Sequence, residues 1–252
     1  MLGCRPCGSS IDRNHQTCAE SGDPIDRERY QRVVGRLIYL CHTRPDIAYA
    51  VSVVSRYMHD PRTGHMKIVY QILRYLKGTP GKGLWFRPNQ HMNLEGYCDA
   101  DWASRRDDRR STSGYCVFVG GNLVSWRSKK QAVVSRSTAE AEHRAMALAV
   151  CEMIWLKGLL KELQVLKNET MLLYCDNVAA INIANNPVQF DRMKHVEIDK
   201  FFIKEKIDSG ALKLKYVKSR NQVADSLTKG LGPKDNELAC NKMGMLNIFS
   251  PS

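Results

Sequence analysis

From Asp26 to about Gly78 apolar residues recur at helical spacing: Val33, Val34, Leu37, Ile38 and Leu40; Ile47, Ala50, Val51 and Val54; Ile68, Ile72, Leu73 and Leu76. Three successive helices are predicted. Thr43-Arg44-Pro45-Asp46 has the form of a capping box with proline in the first turn, which fixes the start of the second helix, and Asp60-Pro61 closes it. Residues 1–25 mix cysteine, glycine, serine and charge without a period and read as loop.

After Gly78-Thr79-Pro80-Gly81 the pattern changes to short β-rich runs, Gly83 to Phe86, Leu94 to Asp99, Gly114 to Val119 and Asn122 to Arg127, with Gly120-Gly121 as a hairpin turn. These predict an antiparallel meander. Ser137-Thr138-Ala139-Glu140 is a second capping box and opens a helix to about Leu163. A strand (Met171 to Asp176), a helix (Val178 to Ala184), a loop at Asn185-Asn186-Pro187, a helix (Val196 to Ile207), a strand (Ala211 to Lys218) and a short helix from about Gln222 follow. Strands and helices in this order predict an α/β layer fold with a mixed sheet.

The 252 residues carry 38 Lys and Arg against 26 Asp and Glu, a balance of +12 that points to a polyanionic partner, with nucleic acid foremost. The longest apolar stretch, Ala145 to Leu156, is interrupted by Glu152 and falls short of the ~20 residues that span a bilayer. The start, MLGCRPCGSS, has no signal-peptide apolar core, so the chain is expected to be neither membrane-bound nor secreted. Nine cysteines, most of them inside apolar runs, suit a reducing compartment and indicate no disulfide framework.

Asp99, Glu142, Asp176 and Asp225 fall where carboxylates are costly for structure and useful for chemistry: two on strands, one in the first turn of the long helix, one near the start of the last helix. Ligand sites of open α/β sheets gather at strand ends, where two such Asp could converge. Four facing carboxylates repel, so the cluster implies divalent cations, and hard oxygen donors suit Mg²⁺ or Mn²⁺. Two such ions would drive an in-line phosphoryl displacement. Glu140 and Glu142 differ by about 200° around their helix, so only one can face the site, and Glu142 is the one predicted. The plainer reading keeps each acid as a turn former, a cap or a dipole partner.

The flanking residues decide between these readings. Tyr97-Cys98-Asp99-Ala100-Asp101-Trp102-Ala103, Arg110-Ser111-Thr112-Ser113-Gly114-Tyr115, Ser125-Trp126-Arg127-Ser128-Lys129-Lys130-Gln131 and Ser137-Thr138-Ala139-Glu140-Ala141-Glu142 resemble the ribonuclease H domain of copia-type long-terminal-repeat retrotransposon Pol polyproteins. So do Cys175-Asp176-Asn177, Asn186-Pro187, Lys194-His195-Val196-Glu197-Ile198-Asp199 and Ala224-Asp225-Ser226-Leu227-Thr228-Lys229. Upstream, Tyr30 to Leu40, Thr43-Arg44-Pro45-Asp46-Ile47 and Leu73-Arg74-Tyr75-Leu76-Lys77-Gly78 resemble the segment joining the reverse transcriptase to that domain.

The resemblance implies a ribonuclease H-like fold, a five-stranded mixed sheet of order 3-2-1-4-5 with flanking helices, preceded by a helical segment. It implies Mg²⁺-dependent cutting of the RNA strand of an RNA–DNA hybrid, with Asp99, Glu142, Asp176 and Asp225 as metal-binding catalytic carboxylates. The divisions expected are an irregular segment 1–25, a helical connection 26–82, a ribonuclease H-like domain 83–232 and a tail 233–252. The sequence contains no polymerase palm, so no polymerase activity is expected, and the chain reads as the C-terminal part of a polyprotein or a degenerate copy. The connection helices are expected to expose an apolar face that docks on a polymerase domain. The setting implied is intracellular, in a cytoplasmic virus-like particle or the nucleus.

The chain departs from the family pattern at several points. His143 stands where tyrosine is usual, Phe190 and Phe201 where histidine is frequent, and the loop Lys218-Ser219-Arg220-Asn221-Gln222 lacks the histidine of cellular enzymes. Asp99-Ala100-Asp101 is not the Asp-x-Glu of a proofreading exonuclease.

Arg127, Lys129, Lys130 and Arg136 flank the strand that leads to the Glu142 helix and are expected to meet phosphates, with Asn177 and His195 completing the nucleic-acid set. His195 also reads as a structural histidine, and Arg105 to Arg110 as a solvated hairpin tip. Cys4, Cys7, His15 and Cys18 invite zinc, but at a spacing unlike a retroviral zinc knuckle. The competing reading of the whole chain is an inactive nucleic-acid-binding remnant of the same fold.

Overall fold

The computed structural model describes residues 3–15, 18, 21–103, 108–165, 169–186 and 197–249. Phe190 and His195 lie outside these. In chain order the elements are α1 (Arg27–Leu40), α2 (Ala48–Ser55), α3 (Thr63–Gly78), β1 (Lys82–Leu84), β2 (Leu94–Asp101), β3 (Thr112–Val119), β4 (Asn122–Lys130), α4 (Thr138–Glu162), β5 (Met171–Cys175), α5 (Val178–Asn185), α6 (Glu197–Asp208), β6 (Leu212–Tyr216), α7 (Pro233–Lys242) and β7 (Met245–Asn247). They form two units. One comprises residues 1–85 with 229–252, and the other is the intervening stretch 86–228.

In the first, helical unit, Asp26 caps α1 by accepting the Arg29 N–H at 3.1 Å. Tyr30, Val34 and Leu37 share the buried face of α1 and pack with almost the whole of α2 and with Met66, Val69 and Ile72 of α3. The apolar stripes thus close largely on one another, and on α1 the exposed large apolar residues are Ile38 and Tyr39, a narrower free face than the sequence suggests.

The predicted capping box at residues 43–46 is not formed. Pro45–Ile47 is a single 3-10 turn without a side-chain cap, and Asp46 is buried instead. A buried carboxylate needs partners. Asp46 receives Arg44 through Nε at 2.9 Å and Nη2 at 2.6 Å, and the Tyr75 hydroxyl at 2.6 Å. Asn236 of α7 donates to that same hydroxyl oxygen at 3.2 Å.

The run at Gly83, expected to begin the meander, does not join the large sheet: β1 pairs antiparallel with β7, Gly83 opposite Leu246. Residues 233–252, expected as a tail, therefore contribute a helix and a strand to the helical unit.

The second, sheet unit has the strand order β4-β3-β2-β5-β6, antiparallel through β2, β3 and β4 and parallel through β2, β5 and β6. Numbered within the unit this is 3-2-1-4-5, the ribonuclease H-like sheet. Gly120 (φ 55°) and Gly121 (φ 74°) make the β3–β4 hairpin turn, where two left-handed residues match the strand twist. Ser137 opens α4 by accepting the Glu140 N–H at 3.2 Å. Ala145, Met146, Ala149, Val150 and Met153 of α4 bury themselves with Cys98, Val117 and Leu173 of the sheet. All nine cysteines are free thiols. Among the described residues no helix is long and apolar enough to cross a membrane.

Candidate active site

Strands β2 and β5 are parallel neighbours, so residues at their C-terminal ends emerge on the same edge of the sheet. Asp99 lies near the end of β2 and Asp176 directly follows β5. Asp225 arrives on a 3-10 turn, Ala224–Leu227, and Glu142 from the N-terminal part of α4. Ligand atoms of Asp99, Asp176 and Asp225 lie within 4.8 Å of one another, and so do those of Glu142, Cys175 and Asp176. The four predicted acids are thereby brought together, with Asp176 in both groups.

Glu140 and Glu142 divide as their helical spacing predicts, although both are buried. Glu140 accepts the Arg136 N–H at 2.8 Å and pairs with Arg144 at 3.2 Å, so it belongs to the helix start. The Glu142 carboxyl accepts a backbone hydrogen bond from Ala100. Burial first, then the charges of Asp99, Cys175 and Asp176, push it up to about 10. Without a cation such a carboxyl keeps its proton. An oxygen set spanning at most 4.8 Å can close on one ion with bonds of about 2.1 Å after small side-chain rotations, so the hard donors fit a divalent cation.

Residues that the sequence reading passed over fix the four acids. Ser219 donates its hydroxyl to Asp176 at 2.7 Å from the loop where cellular enzymes carry histidine. Gln222 donates to the Cys98 carbonyl at 2.9 Å and accepts the Ala224 N–H at 3.2 Å, tying the Asp225 turn to β2. Thr228 donates to the Asp99 carboxylate. The Cys175 thiol stands 4.0 Å from Glu142 and receives the Asn177 N–H at 3.4 Å. Ser219 and Thr228 lie 43 and 129 positions from the acids they meet, so no local signal in the sequence marks them.

His143 is wholly buried, and neither ring nitrogen has a hydrogen-bond partner among the described residues. Burial, helped by Lys200 and Arg144, pulls it down to about 4, so the ring is neutral at physiological pH.

Of the predicted nucleic-acid residues, Arg127 and Lys129 are exposed two positions apart on the edge strand β4, and Arg136 is exposed beyond it. Lys130 is paired with Asp108. Asn177 caps α5, its Oδ1 accepting the Ala180 N–H at 2.9 Å. His195 lies outside the described residues. Among those described, ligand atoms gather only in the two groups above, so Cys4, Cys7, His15 and Cys18 do not form a metal site: Cys7 turns to the Ser9 and Gln71 carbonyls, both at 3.4 Å, and His15 meets the Asp12 carbonyl at 3.0 Å.

No family model matches the chain. It is 40% identical over 249 residues, 98% of its length, to the retrovirus-related Pol polyprotein from transposon RE1 of Arabidopsis thaliana. It is 39% identical over 230 residues, 91% of its length, to the retrovirus-related Pol polyprotein from transposon TNT 1-94 of Nicotiana tabacum. The chain spans only 17% of either relative. Over 128 residues, half of this chain and 90% of the relative, it is 45% identical to secreted RxLR effector protein 161 of Plasmopara viticola. A solved structure of LC11-RNase H1 in complex with RNA/DNA hybrid aligns with 54% of this chain and 94% of its own, at 15% identity and a TM-score of 0.38. At that score the likeness adds nothing to the strand order itself.

Proposed function

We propose that the chain is a segment of a copia-type retrotransposon Pol polyprotein and that its sheet unit is a ribonuclease that cuts the RNA strand of an RNA–DNA hybrid. The observation that carries this reading is the convergence of Asp99, Glu142, Asp176 and Asp225, from four separate elements, at one edge of the sheet.

Asp99, Glu142, Asp176 and Asp225 would hold Mg²⁺ or Mn²⁺, and Asp176, present in both donor groups, is the residue suited to serve two ions. When bound, the metal supplies an activated water and stabilises charge on the leaving oxygen. The remaining work falls to the chain. Arg127 and Lys129 hold backbone phosphates from the exposed edge strand, with Arg136 beyond it. Burial of Asp99 and Glu142 keeps bulk water off the inner side of the cluster. Ser219 and Thr228 orient Asp176 and Asp99 by donating to their carboxylates. Glu142 gives up its proton when a cation takes its place.

The 98% span shared with a Pol polyprotein supports a polymerase domain as the natural partner of the helical unit. The free thiols fit work inside the cell, in a reducing compartment.

The test is incubation of the chain with a hybrid in Mg²⁺ or Mn²⁺, beside Asp99→Asn. The RNA strand should be nicked, duplex DNA left intact and cutting stopped by EDTA, while Asp99→Asn binds without cutting. Hybrid binding should weaken steeply with salt. Binding with no cleavage in either metal would overturn the nuclease reading in favour of the inactive remnant.

A further inference from the structure

The turn that carries Asp225 is short and buries Ala224 and Leu227 completely. It is one 3-10 turn, Ala224–Leu227, with no side-chain cap at its start. Gln222 and Thr228, on its two sides, are both buried, and each reaches β2. Thr228 does so in a distinctive way. Its hydroxyl faces the Asp99 carboxylate and, at 3.2 Å, the Asp225 carbonyl, while its N–H donates to that same carbonyl at 3.2 Å. Its methyl group occupies the space that a side chain at Gly114 would take: a Cβ there would come 2.7 Å from Thr228 Cγ2. One small side chain therefore touches the first acid of the cluster, the backbone of the last, and β3, the strand paired with the one that bears Asp99.

We propose that Thr228 is a positioning residue: its hydroxyl fixes the rotamer of the Asp99 carboxylate, and its methyl, seated against Gly114, sets how close Asp225 stands to it. A hydroxyl has one proton to give, so this bond sets the orientation of the carboxylate while taking up only one of its lone pairs. Serine preserves the hydroxyl and loses the seat; valine preserves the seat and loses the hydroxyl. The inference rests on the reading of the carboxylates as a cation site.

The experiment measures Mn²⁺ binding to the full chain without nucleic acid, by the paramagnetic resonance signal of free Mn²⁺, for wild type, Thr228→Val, Thr228→Ser and Asp99→Asn, with thermal unfolding of each. Loss of an outer partner of a metal ligand costs roughly 10- to 100-fold in affinity, and Thr228→Val should lose that much while still unfolding cooperatively. Thr228→Ser should recover most of the loss, because the hydroxyl acts on Asp99 directly. Wild-type affinity in Thr228→Val, or a Thr228→Ser as weak as Thr228→Val, overturns the positioning role. If Asp99→Asn binds Mn²⁺ like wild type, the cation site itself is wrong and the proposal goes with it. A loss in Asp99→Asn without one in Thr228→Val removes the proposal alone.

Discussion

Gly114 faces Asp99 across the β2–β3 ladder, and on its free side it touches the turn that brings in Asp225: a Cβ would lie 2.8 Å from Leu227 Cβ and 3.2 Å from the Ala224 carbonyl oxygen. Neither neighbour is the far end of a flexible side chain, so the turn, not a rotamer, has to yield. Gly114→Ala should destabilise the sheet unit by about 1–3 kcal/mol, the usual range for overpacking, and weaken Mn²⁺ binding as well. Thermal unfolding and a Mn²⁺ titration on the same preparation check both, and an alanine variant with unchanged metal affinity would show that the turn's closeness is immaterial to the site.

Glu142 is held well above the ordinary carboxylate range in the metal-free fold, about 10 against 4.5, so the folded chain binds more protons than the unfolded one between those values. Stability should then be greatest below the lower value and fall as pH rises toward the upper one. Glu142→Gln removes this dependence, so the metal-free variant should melt higher than wild type at pH 8 while losing metal-dependent cleavage. Glu140→Gln should keep most of the cleavage and lose stability, since an amide offers one acceptor oxygen where Arg144 and the Arg136 amide use two, and the charge facing Arg144 is lost. Equal cleavage losses in the two variants would contradict the division of labour.

His143 has the opposite sign. Its folded value near 4 lies below the ordinary 6.5, so the unfolded chain takes up the proton first. The stability concerned is complete above pH 6.5 and is lost as pH falls toward 4, by roughly 3 kcal/mol at most. Replacement by phenylalanine should flatten the acid limb of a stability–pH curve. A curve parallel to wild type between pH 4 and 6.5 would mean that this ring does not titrate there.

In the helical unit, Asp46 is wholly enclosed by Arg44 and Tyr75. Asp46→Asn leaves a buried guanidinium without its counter-charge and should cost about 3–5 kcal/mol. Tyr75→Phe removes one hydrogen bond to a charge and should cost about 1.5–3 kcal/mol. Urea denaturation of the two variants gives the order; a Tyr75→Phe costlier than Asp46→Asn would contradict the central place of the carboxylate.

The sequence displays features that depend on neighbours in the chain. Ser137 with Glu140 signals the start of α4, Gly120-Gly121 the hairpin, and the short β-rich run Leu94 to Asp99 the strand that bears the first acid. It hides what depends on residues far apart. The pairing of β1 with β7 joins two three-residue strands more than 160 positions apart, too short to carry a period. Asp46 has a cap's spacing, and only the tertiary approach of Tyr75 makes it an ion-pair centre. Thr228 reads as one polar residue in a motif; its contact with Asp99 spans 129 positions. The acids themselves were legible because motif and element position agree on them, whereas the groups that orient them obey no spacing rule.

The helical unit is interrupted at Trp85 and resumes at Lys229, with every residue of the sheet unit between. On a ribosome, which releases the chain from its N-terminus, the sheet unit emerges entire while β1 still awaits β7 and Tyr75 still awaits Asn236. Translation therefore completes the carboxylate-bearing unit before the helical one. A message cut short soon after codon 228 would yield a finished sheet unit attached to helices with an open strand edge, a surface prone to pair with other chains.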